Sequence, residues 1–303
     1  FSGSIDVYRK ETSDLLATVP VPAGTNFTNM ILTNVGGMRN QGIEVSMNTG
    51  IIAKKNMRLD WSVNATYNEN KVTQLSRVAD PKSPGVLVGG IGGGIGNTIQ
   101  VHQVGYATFT YFVLDQQYDA NGTMIQVGEQ ATIDINNDGV INTSDKWKDV
   151  HAFKDINGDG KVTTDDRTNI GNPNPKYTFG FSNDFSYKGF SLDALITGSQ
   201  GGDVFNASRM DLTLMNNYNN QSTEVINRWT TPGQITDVPK ANDSNALHVS
   251  DRFVEDGSYV KLKSVTLGYN FKNPFKGVSK LNVYATGQNL YTITDYSGFD
   301  PAL

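Results

Sequence analysis

The sequence predicts an all-β protein whose antiparallel strands form part of a large transmembrane β-barrel with long extracellular loops. Strands of clean alternating polarity are joined by very unequal connections. Only a few residues separate strand-like runs at Ala53–Met57 and around Lys188 and Gly189, whereas long polar segments intervene at Asn70–Lys176 and Ser199–Ser258. Tight turns on one rim and large loops on the other are typical of an outer-membrane barrel. Long loops grouped at one end also indicate a recognition face.

Seven segments alternate apolar and polar residues, which places each set on its own face of a sheet. In one of them Trp61, Val63, Ala65 and Tyr67 alternate with Ser, Asn and Thr. We expect most strands to be near the ~9–11 residues that cross a bilayer at a tilt. The segments are Ile5–Val7, Ile43–Met47, Trp61–Tyr67, Tyr177–Tyr187, Phe190–Ile196, Val265–Phe271 and Leu281–Gly287.

A soluble β-sandwich shows the same alternation and is the alternative fold. Three observations favour the membrane: the unequal loops, a polar face with little Lys or Glu, and aromatic residues near strand ends, as interfacial girdles require. These aromatics are Tyr67, Tyr177, Tyr187, Phe190, Tyr269, Phe271 and Tyr291. Seven strands cannot close a wide barrel, and lipid does not tolerate open edges. We therefore expect the remaining strands to lie outside this chain, with Leu16–Asn40 as a third large loop.

Composition excludes several functional classes. Hydrophobic residues make up 37% of the chain, below the usual share of about 45–50%, and no run of about 18 apolar residues predicts a transmembrane helix. The net charge of −5 without a basic run argues against a nucleic-acid partner. The absence of cysteine removes disulfides, thiolate catalysis and zinc-thiolate sites. With no nucleophile motif and no metal-ligand spacing among the three histidines, we predict that the protein is not an enzyme.

Two tandem segments match a calcium-binding loop. Calcium needs several oxygen ligands gathered by one tight turn; glycine at position 6 permits the turn, and position 7 offers a backbone carbonyl. The predicted ligands of the first loop are Asp134, Asn136, Asp138, the carbonyl of Val140, Asn142 and Asp145. Those of the second are Asp155, Asn157, Asp159, the carbonyl of Lys161, Thr163 and Asp166.

The last position of both calcium motifs departs from the EF-hand, because Asp replaces the usual bidentate Glu. The alternative is a pair of Asn/Asp/Gly turns that hold no ion. Two complete matches in tandem favour Ca²⁺, with a structural role in ordering a long loop.

Aromatic residues in the long loops have two interpretations. They could stack on sugars or contact a protein, or they could anchor the loops onto one another, which we favour. They are Tyr106, Phe109, Tyr111, Phe112, Tyr118, Tyr218 and Trp229.

Five motifs, in this order, carry a resemblance to the C-terminal part of SusC-like TonB-dependent outer-membrane transporters of the Bacteroidetes type. The first is an Asn-x-Gly-x-x-x-Asn-x-Gly-x-Glu pattern from Asn34 to Glu44. The second calcium loop leads into Ile170–Tyr177, which is similar to the family's re-entry into the barrel. Arg252–Tyr259 is the most specific segment, and Ala285–Leu290 and Asp295–Pro301 complete the set.

The resemblance covers nearly the whole chain (residues 1–303) and implies a barrel of about 22 strands with an N-terminal plug. It implies import of glycan oligosaccharides or peptides, energised by TonB and capped by a SusD-like surface lipoprotein. The residues 70–176 would form an extracellular loop insertion. Residues that gate the barrel or contact TonB are expected outside this chain. The alternative function is a secreted, calcium-stabilised β-sandwich that acts as an adhesin or glycan-binding module.

Overall fold

The structure is a computed structural model. It describes residues 1–21, 24–25, 27–76, 85–91, 98–118, 124–125, 139–140, 142, 153–159, 162–215, 220–231, 234, 236–241 and 249–302. Within these residues no helix has the length and apolar character needed to span a bilayer.

Strands dominate, and one short helix, α1, covers Ala207–Thr213. The strands are β1 Ser2–Pro20, β2 Met30–Lys54, β3 Met57–Gln74, β4 Val86–Gly90, β5 Thr98–His102, β6 Thr110–Val113, β7 Thr168–Asn169, β8 Tyr177–Tyr187, β9 Phe190–Gln200, β10 Asp203–Phe205, β11 Val254–Asp256, β12 Tyr259–Phe275 and β13 Val278–Thr294.

Seven long strands form one antiparallel sheet in the order β1-β2-β3-β8-β9-β12-β13. Two-residue turns join β2 to β3, β8 to β9 and β12 to β13 at one end, which we call the turn end. Lys188 and Gly189 both have positive φ, 46° and 100°, as a type I′ turn requires. The other connections leave from the opposite end, the loop end. The predicted count of seven strands and the predicted inequality of the connections are confirmed.

The predicted loop Leu16–Asn40 is wrong, because most of it is strand. β1 continues to Pro20 and β2 begins at Met30, so that only a short connection remains between them. The predicted strand length is also too small. Only β8 and β9 have 11 residues, and the other five strands of the sheet have 17 to 25.

The two faces of the sheet differ sharply in polarity. One register row across all seven strands carries apolar residues and one glycine: Ile5, Val45, Ala65, Phe179, Gly198, Val260 and Ile293. The next row, on the opposite face, is polar apart from a glycine: Ser4, Ser46, Asn64, Gly180, Thr197, Lys261 and Thr292. The apolar face is left open to its surroundings: Ile5 is 73% exposed and Ile293 60%.

Aromatic pairs bound the apolar face at both ends. Tyr67 packs on Tyr177 at the loop end, with ring centroids 5.3 Å apart. At the turn end Phe190 packs on Tyr269 at 4.5 Å, beside Tyr187 in the register. Tyr177 and Tyr187 are ten residues apart on β8. At about 3.3 Å per residue and a tilt of about 40°, this spacing gives a band about 25 Å tall, the height of the apolar band in transmembrane barrels.

Each face of the sheet has one notable side-chain hydrogen bond. On the apolar face, Nε1 of Trp61 donates a hydrogen bond to Oδ1 of Asn183 at 2.9 Å, so this amide oxygen is paired although its neighbours are apolar. On the polar face, a Cβ at Gly42 would collide with the carbonyl oxygen of Tyr67 and with the Tyr8 ring. Tyr8 lies over that glycine and donates to Oδ1 of Asn68 at 2.9 Å.

The β1–β2 hairpin extends beyond the sheet at the loop end. β3 pairs with β2 only as far as Gly37 opposite Gln74, whereas β1 and β2 stay paired to Pro20 opposite Met30. Register shifts flank Leu15 where the free ribbon begins, and Asp14 has a φ of 56°. β-bulges of this kind bend a strand and increase its twist.

Candidate functional site

The loop end carries the candidate site, because the two long connections after β3 and after β9 fold together there. Their shared hydrophobic core draws residues from both: Ile99, Tyr111, Val113, Phe205, Met210, Val249 and Phe253. Tyr111 also accepts a hydrogen bond at its hydroxyl from the backbone N–H of Phe205 at 3.1 Å. The two loops therefore form one packed layer over the rim of the sheet.

Backbone contacts join the same two connections. Leu114 and Ser250 form a parallel bridge, and the N–H of Leu114 donates to the carbonyl of Val249 at 3.1 Å. Oδ1 of Asp251 accepts from the N–H of Gln116 at 3.0 Å. Burial nevertheless raises the pKa of Asp251, since the charged form loses more solvation than this hydrogen bond restores.

An ionic network of two arginines and two glutamates is centred on Arg209 of α1. Arg209 binds Glu224 at 2.8 Å and Glu255 at 3.4 Å, and Arg252 binds Glu224 at 3.4 Å. Burial alone would raise the pKa of Glu224, but hydrogen bonds and charge from Arg209 and then Arg252 outweigh it and lower that pKa. Glu224 and Glu255 therefore pair with arginines, which fits a structural role.

The segment Asp295–Ala302, which we call the strap, folds back from β13 onto the same layer. Glu255 accepts from both the N–H and the hydroxyl of Ser297, each at 2.8 Å. At the other end of the strap, Nζ of Lys261 donates to Oδ2 of Asp300 at 2.6 Å. Lys261 stands on the polar face of β12 and is only 5% exposed. The strap is thus held by one ion pair, whose lysine is buried, and by the two hydrogen bonds to Glu255.

A polar cavity of about 860 Å³ lies between the rim of the sheet and the loop layer. Its lining contains five charged residues, Glu69, Lys71, Lys176, Asp203 and Asp256. It also includes six amide side chains and two tyrosines: Asn68, Asn70, Asn169, Asn172, Asn174, Gln200, Tyr67 and Tyr106. Such a lining suits a ligand that binds through hydrogen bonds.

The first predicted calcium loop lies mostly outside the described residues. Asp134, Asn136, Asp138 and Asp145 are all in that part of the chain, as is Lys161 of the second loop. Of the two residues that are described, Asn142 donates from Nδ2 to the carbonyl of Val140 at 3.0 Å. Occupancy of this loop stays a prediction.

The second predicted calcium loop is closed by the carboxylate of Asp166, which is fully buried. Its Oδ1 accepts from the N–H groups of Ile156 at 3.0 Å and Asn157 at 3.3 Å, and its Oδ2 accepts from the N–H of Thr163 at 2.7 Å. Burial by itself raises the pKa of Asp166, but these hydrogen bonds, together with one involving Asp155, outweigh it and lower that pKa. The loop therefore holds an ionised carboxylate at its last position.

The other predicted ligands of this loop also make short-range contacts. Oδ1 of Asp155 accepts from the N–H of Gly158 at 2.7 Å, and Oδ1 of Asn157 from the N–H of Asp159 at 2.9 Å. The oxygen donors suit Ca²⁺ in type. However, no group of three His, Asp or Glu side chains arranged for a metal occurs within the described ranges. The carboxylates of Asp155 and Asp166 are adjacent, and Ca²⁺ binding by this loop stays a prediction.

The loop aromatics divide between the two interpretations. Tyr111 and Trp229 are buried and help to join the loops, whereas Tyr106, Phe109 and Tyr118 are 46–47% exposed. Phe112 contacts the Arg167 guanidinium, 5.3 Å from its ring centroid. Tyr218 lies outside the described residues.

Sequence reasoning missed Arg209, Arg252, Lys261 and Asp300. The one usable signal was position: Arg252 and Glu255 fall within the most specific motif, Arg252–Tyr259, and Asp300 lies within Asp295–Pro301. Their partners lie 15 to 46 residues away in the chain, which no local pattern reveals.

Comparisons with known proteins give consistent matches along the chain, although no family model matches it. TonB-dependent receptor SusC of Bacteroides thetaiotaomicron is 31% identical over 313 residues, which cover 99% of this chain and 28% of that receptor. TonB-dependent receptor P3 of Formosa agariphila is 30% identical over 304 residues, which cover 98% of this chain and 28% of that receptor. The chain thus spans less than a third of these relatives.

Solved structures agree with the sequence matches. The RagAB peptide transporter matches with a TM-score of 0.73 and 26% identity, covering 99% of this chain and 30% of that chain. The RagAB peptide importer in its open-open state matches with a TM-score of 0.72 and 25% identity. These findings confirm the resemblance drawn from the sequence motifs and the predicted all-β fold class.

Proposed function

This chain belongs to the SusC-like TonB-dependent receptors, and we propose on that basis that the whole protein imports bulky nutrients across the outer membrane. The cargo would be glycan oligosaccharides or peptides. The chain would contribute seven strands of the barrel wall and a large part of its extracellular face. Transport, and not catalysis, is the activity that the names of its relatives support.

The exposed apolar face is the observation that carries this proposal. Soluble proteins rarely leave wide apolar surfaces open to water, yet one face of the sheet exposes aliphatic residues between two aromatic rows. Outer-membrane lipid would cover this face, with its headgroups near Tyr177 and Tyr187. The sandwich alternative requires a second sheet packed over these residues. In the part of the chain that the structure describes, the two smaller sheets belong to the loop layer instead.

Two partners complete the proposed mechanism. A SusD-like lipoprotein would close over the loop layer and trap cargo between itself and the barrel. TonB would then transmit energy from the inner membrane to a plug inside the barrel and open a path. The hydrophobic core that the two loops share supports this scheme, because a lid needs a defined surface to close against.

We further propose that Ca²⁺ binds the loop Asp155–Asp166 and, through the same motif, the loop Asp134–Asp145, in a structural role. The ionised, buried carboxylate of Asp166 beside Asp155 supports the second site. Luminescence of Tb³⁺, a calcium mimic, should be quenched by added Ca²⁺ in the full-length protein. Asp155→Asn should reduce that signal, whereas Asp211→Asn on α1 should not. An unchanged signal in a variant carrying both Asp155→Asn and Asp134→Asn would contradict the proposal.

The proposed import function is tested by extracting the full-length protein from outer membranes in detergent and measuring the intact complex mass. We expect a mass several times the 33.0 kDa of this chain, with a co-purifying lipoprotein. Uptake by cells should stop when the proton gradient is dissipated. A species near 33.0 kDa that is soluble without detergent would refute the proposal and support the adhesin alternative.

A further inference from the structure

The polar cavity contains an uncovered strand edge. β2 pairs with β3 up to Gln74, but β8 pairs with β3 only up to Tyr67 opposite Tyr177. Beyond that point, the edge of β3 that faces β8 makes backbone hydrogen bonds at two places. The N–H of Asn68 donates to the carbonyl of Lys176, and the N–H of Val72 donates to the carbonyl of Tyr106. Between them, no strand of the part of the chain that the structure describes lies beside β3, which borders the cavity there.

Asn70 lies midway between these two anchors. Backbone groups of alternate residues in a strand point to the same edge, so the N–H and C=O of Asn70 face the cavity as those of Asn68 and Val72 do. Neither group has a backbone partner on that side within the described residues. The side chain of Asn70 is already engaged, since its Oδ1 accepts from the N–H of Thr108 at 2.9 Å. The peptide unit is therefore what this residue offers a ligand.

The rest of the lining agrees with a polar, amide-rich ligand. Apart from two tyrosines and Ala107, no apolar side chain is found among the described lining residues. Lys176 and Asp256 offer charges of opposite sign. The volume of about 860 Å³ is in the usual range for ligand sites.

We infer that this cavity binds the main chain of an extended peptide, which adds to the edge of β3 at Asn70. Added strands are recognised through backbone N–H and C=O groups at fixed spacing. A residue of an antiparallel peptide presents its N–H and C=O to one edge and can complete both bonds with Asn70 at once, so the open edge favours peptides. The inference rests on the proposed import function and narrows its cargo to one class.

The first test scans the backbone of a bound peptide. Full-length protein in detergent is incubated with a tryptic digest of casein, and a retained peptide is identified by mass spectrometry. It is then synthesised with a single N-methyl group at each position in turn. We expect N-methylation at one position to lower the affinity of the peptide about tenfold, which is the usual contribution of one hydrogen bond. N-methylation at the two neighbouring positions should change the affinity little, because their N–H groups point to the other edge. Equal affinities at all positions would overturn the inference.

The second test fills the cavity. Gln200 lies at its margin at the end of β9, so Gln200→Trp should lower peptide affinity at least tenfold. The matched control is Gln288→Trp, on β13 away from the cavity, which should leave affinity within about twofold. Retained affinity in Gln200→Trp would refute the site. Binding of glucose or xylose hexasaccharides that is lost in Gln200→Trp would refute the peptide class.

Cellular uptake separates this inference from the function on which it rests. Import of oligosaccharides but not peptides that depends on the proton gradient would overturn the inference and leave the importer intact. Failure of both cargo classes to enter cells would refute the importer itself.

Discussion

Replacing Lys261 by Met should detach the strap, because it leaves the carboxylate of Asp300 without its ammonium partner. Met has a similar length and keeps the packing on the polar face. At the observed 2.6 Å, the attraction between two unit charges is about 6 kcal/mol at an effective dielectric constant near 20. Desolvation of the two ions offsets roughly half of it. The side chain of Asp300 is 20% exposed, so we expect a net loss of about 2–3 kcal/mol.

That loss corresponds to an increase of about 30- to 140-fold in the open population of the strap. Hydrogen exchange of the full-length protein in detergent, followed by mass spectrometry, would measure it. The informative amides are those of Ser297 and Ala302, which donate to Glu255 and Asp300. The matched control is Lys280→Met on the exposed part of β13. Exchange within threefold of the wild type in Lys261→Met would refute the assignment of the pair as the anchor of the strap.

The same pair predicts a pH dependence of definite sign. The hydrogen bond from Lys261 and then the N–H of Ala302 lower the pKa of Asp300 from an unfolded value of about 3.9. A carboxyl whose pKa is lowered on folding stabilises fully above its unfolded pKa and loses that effect as pH falls through the folded value. Exchange of the strap should therefore stay constant from about pH 5 to 8 and rise below about pH 4. A rise already complete at pH 6 would contradict this origin.

Three further predictions concern the sheet, each measured by urea unfolding of the full-length protein in lipid vesicles. Trp61→Phe should cost about 1 kcal/mol by leaving the amide oxygen of Asn183 unpaired, and this cost should vanish in an Asn183→Ala background; a persisting cost would point to packing instead. Gly42→Ala should cost at least about 1–3 kcal/mol because its Cβ meets a neighbouring carbonyl, and wild-type stability would refute that contact. Phe181→Lys on the apolar face should cost about 2–4 kcal/mol, whereas Ser182→Lys on the opposite face should cost far less; equal costs would refute the assignment of faces.

The sheet could be predicted from sequence because its two faces meet different surroundings. Where one face is apolar and the other polar, alternation appears in the chain itself, as at Tyr177–Tyr187. The same reasoning failed for Leu16–Asn40. There β1 and β2 form a two-stranded ribbon with no face to bury, so the pairing leaves no clear pattern in the sequence.

The contacts within the loop layer could not be predicted from the sequence, for a different reason. Arg209 meets Glu224 across 15 residues and Glu255 across 46, through irregular connections in which no period marks a partner. The calcium motif shows the converse: its residue types were recognisable, but whether their oxygens converge on an ion depends on the fold of the backbone. The open edge at Asn70 is the extreme case, because it depends on where β8 stops.

The free ribbon of β1 and β2 also bears on how cooperatively the protein unfolds. Beyond Gly36 its two strands have only each other as strand partners within the described residues, and an isolated two-stranded hairpin is marginally stable in water. The register shifts near Leu15 separate its hydrogen-bond ladder from that of the wall. The ribbon is therefore a separate unit of local unfolding. It can open from its tip down to Gly36 and stop there, with every bond between β2 and β3 still in place.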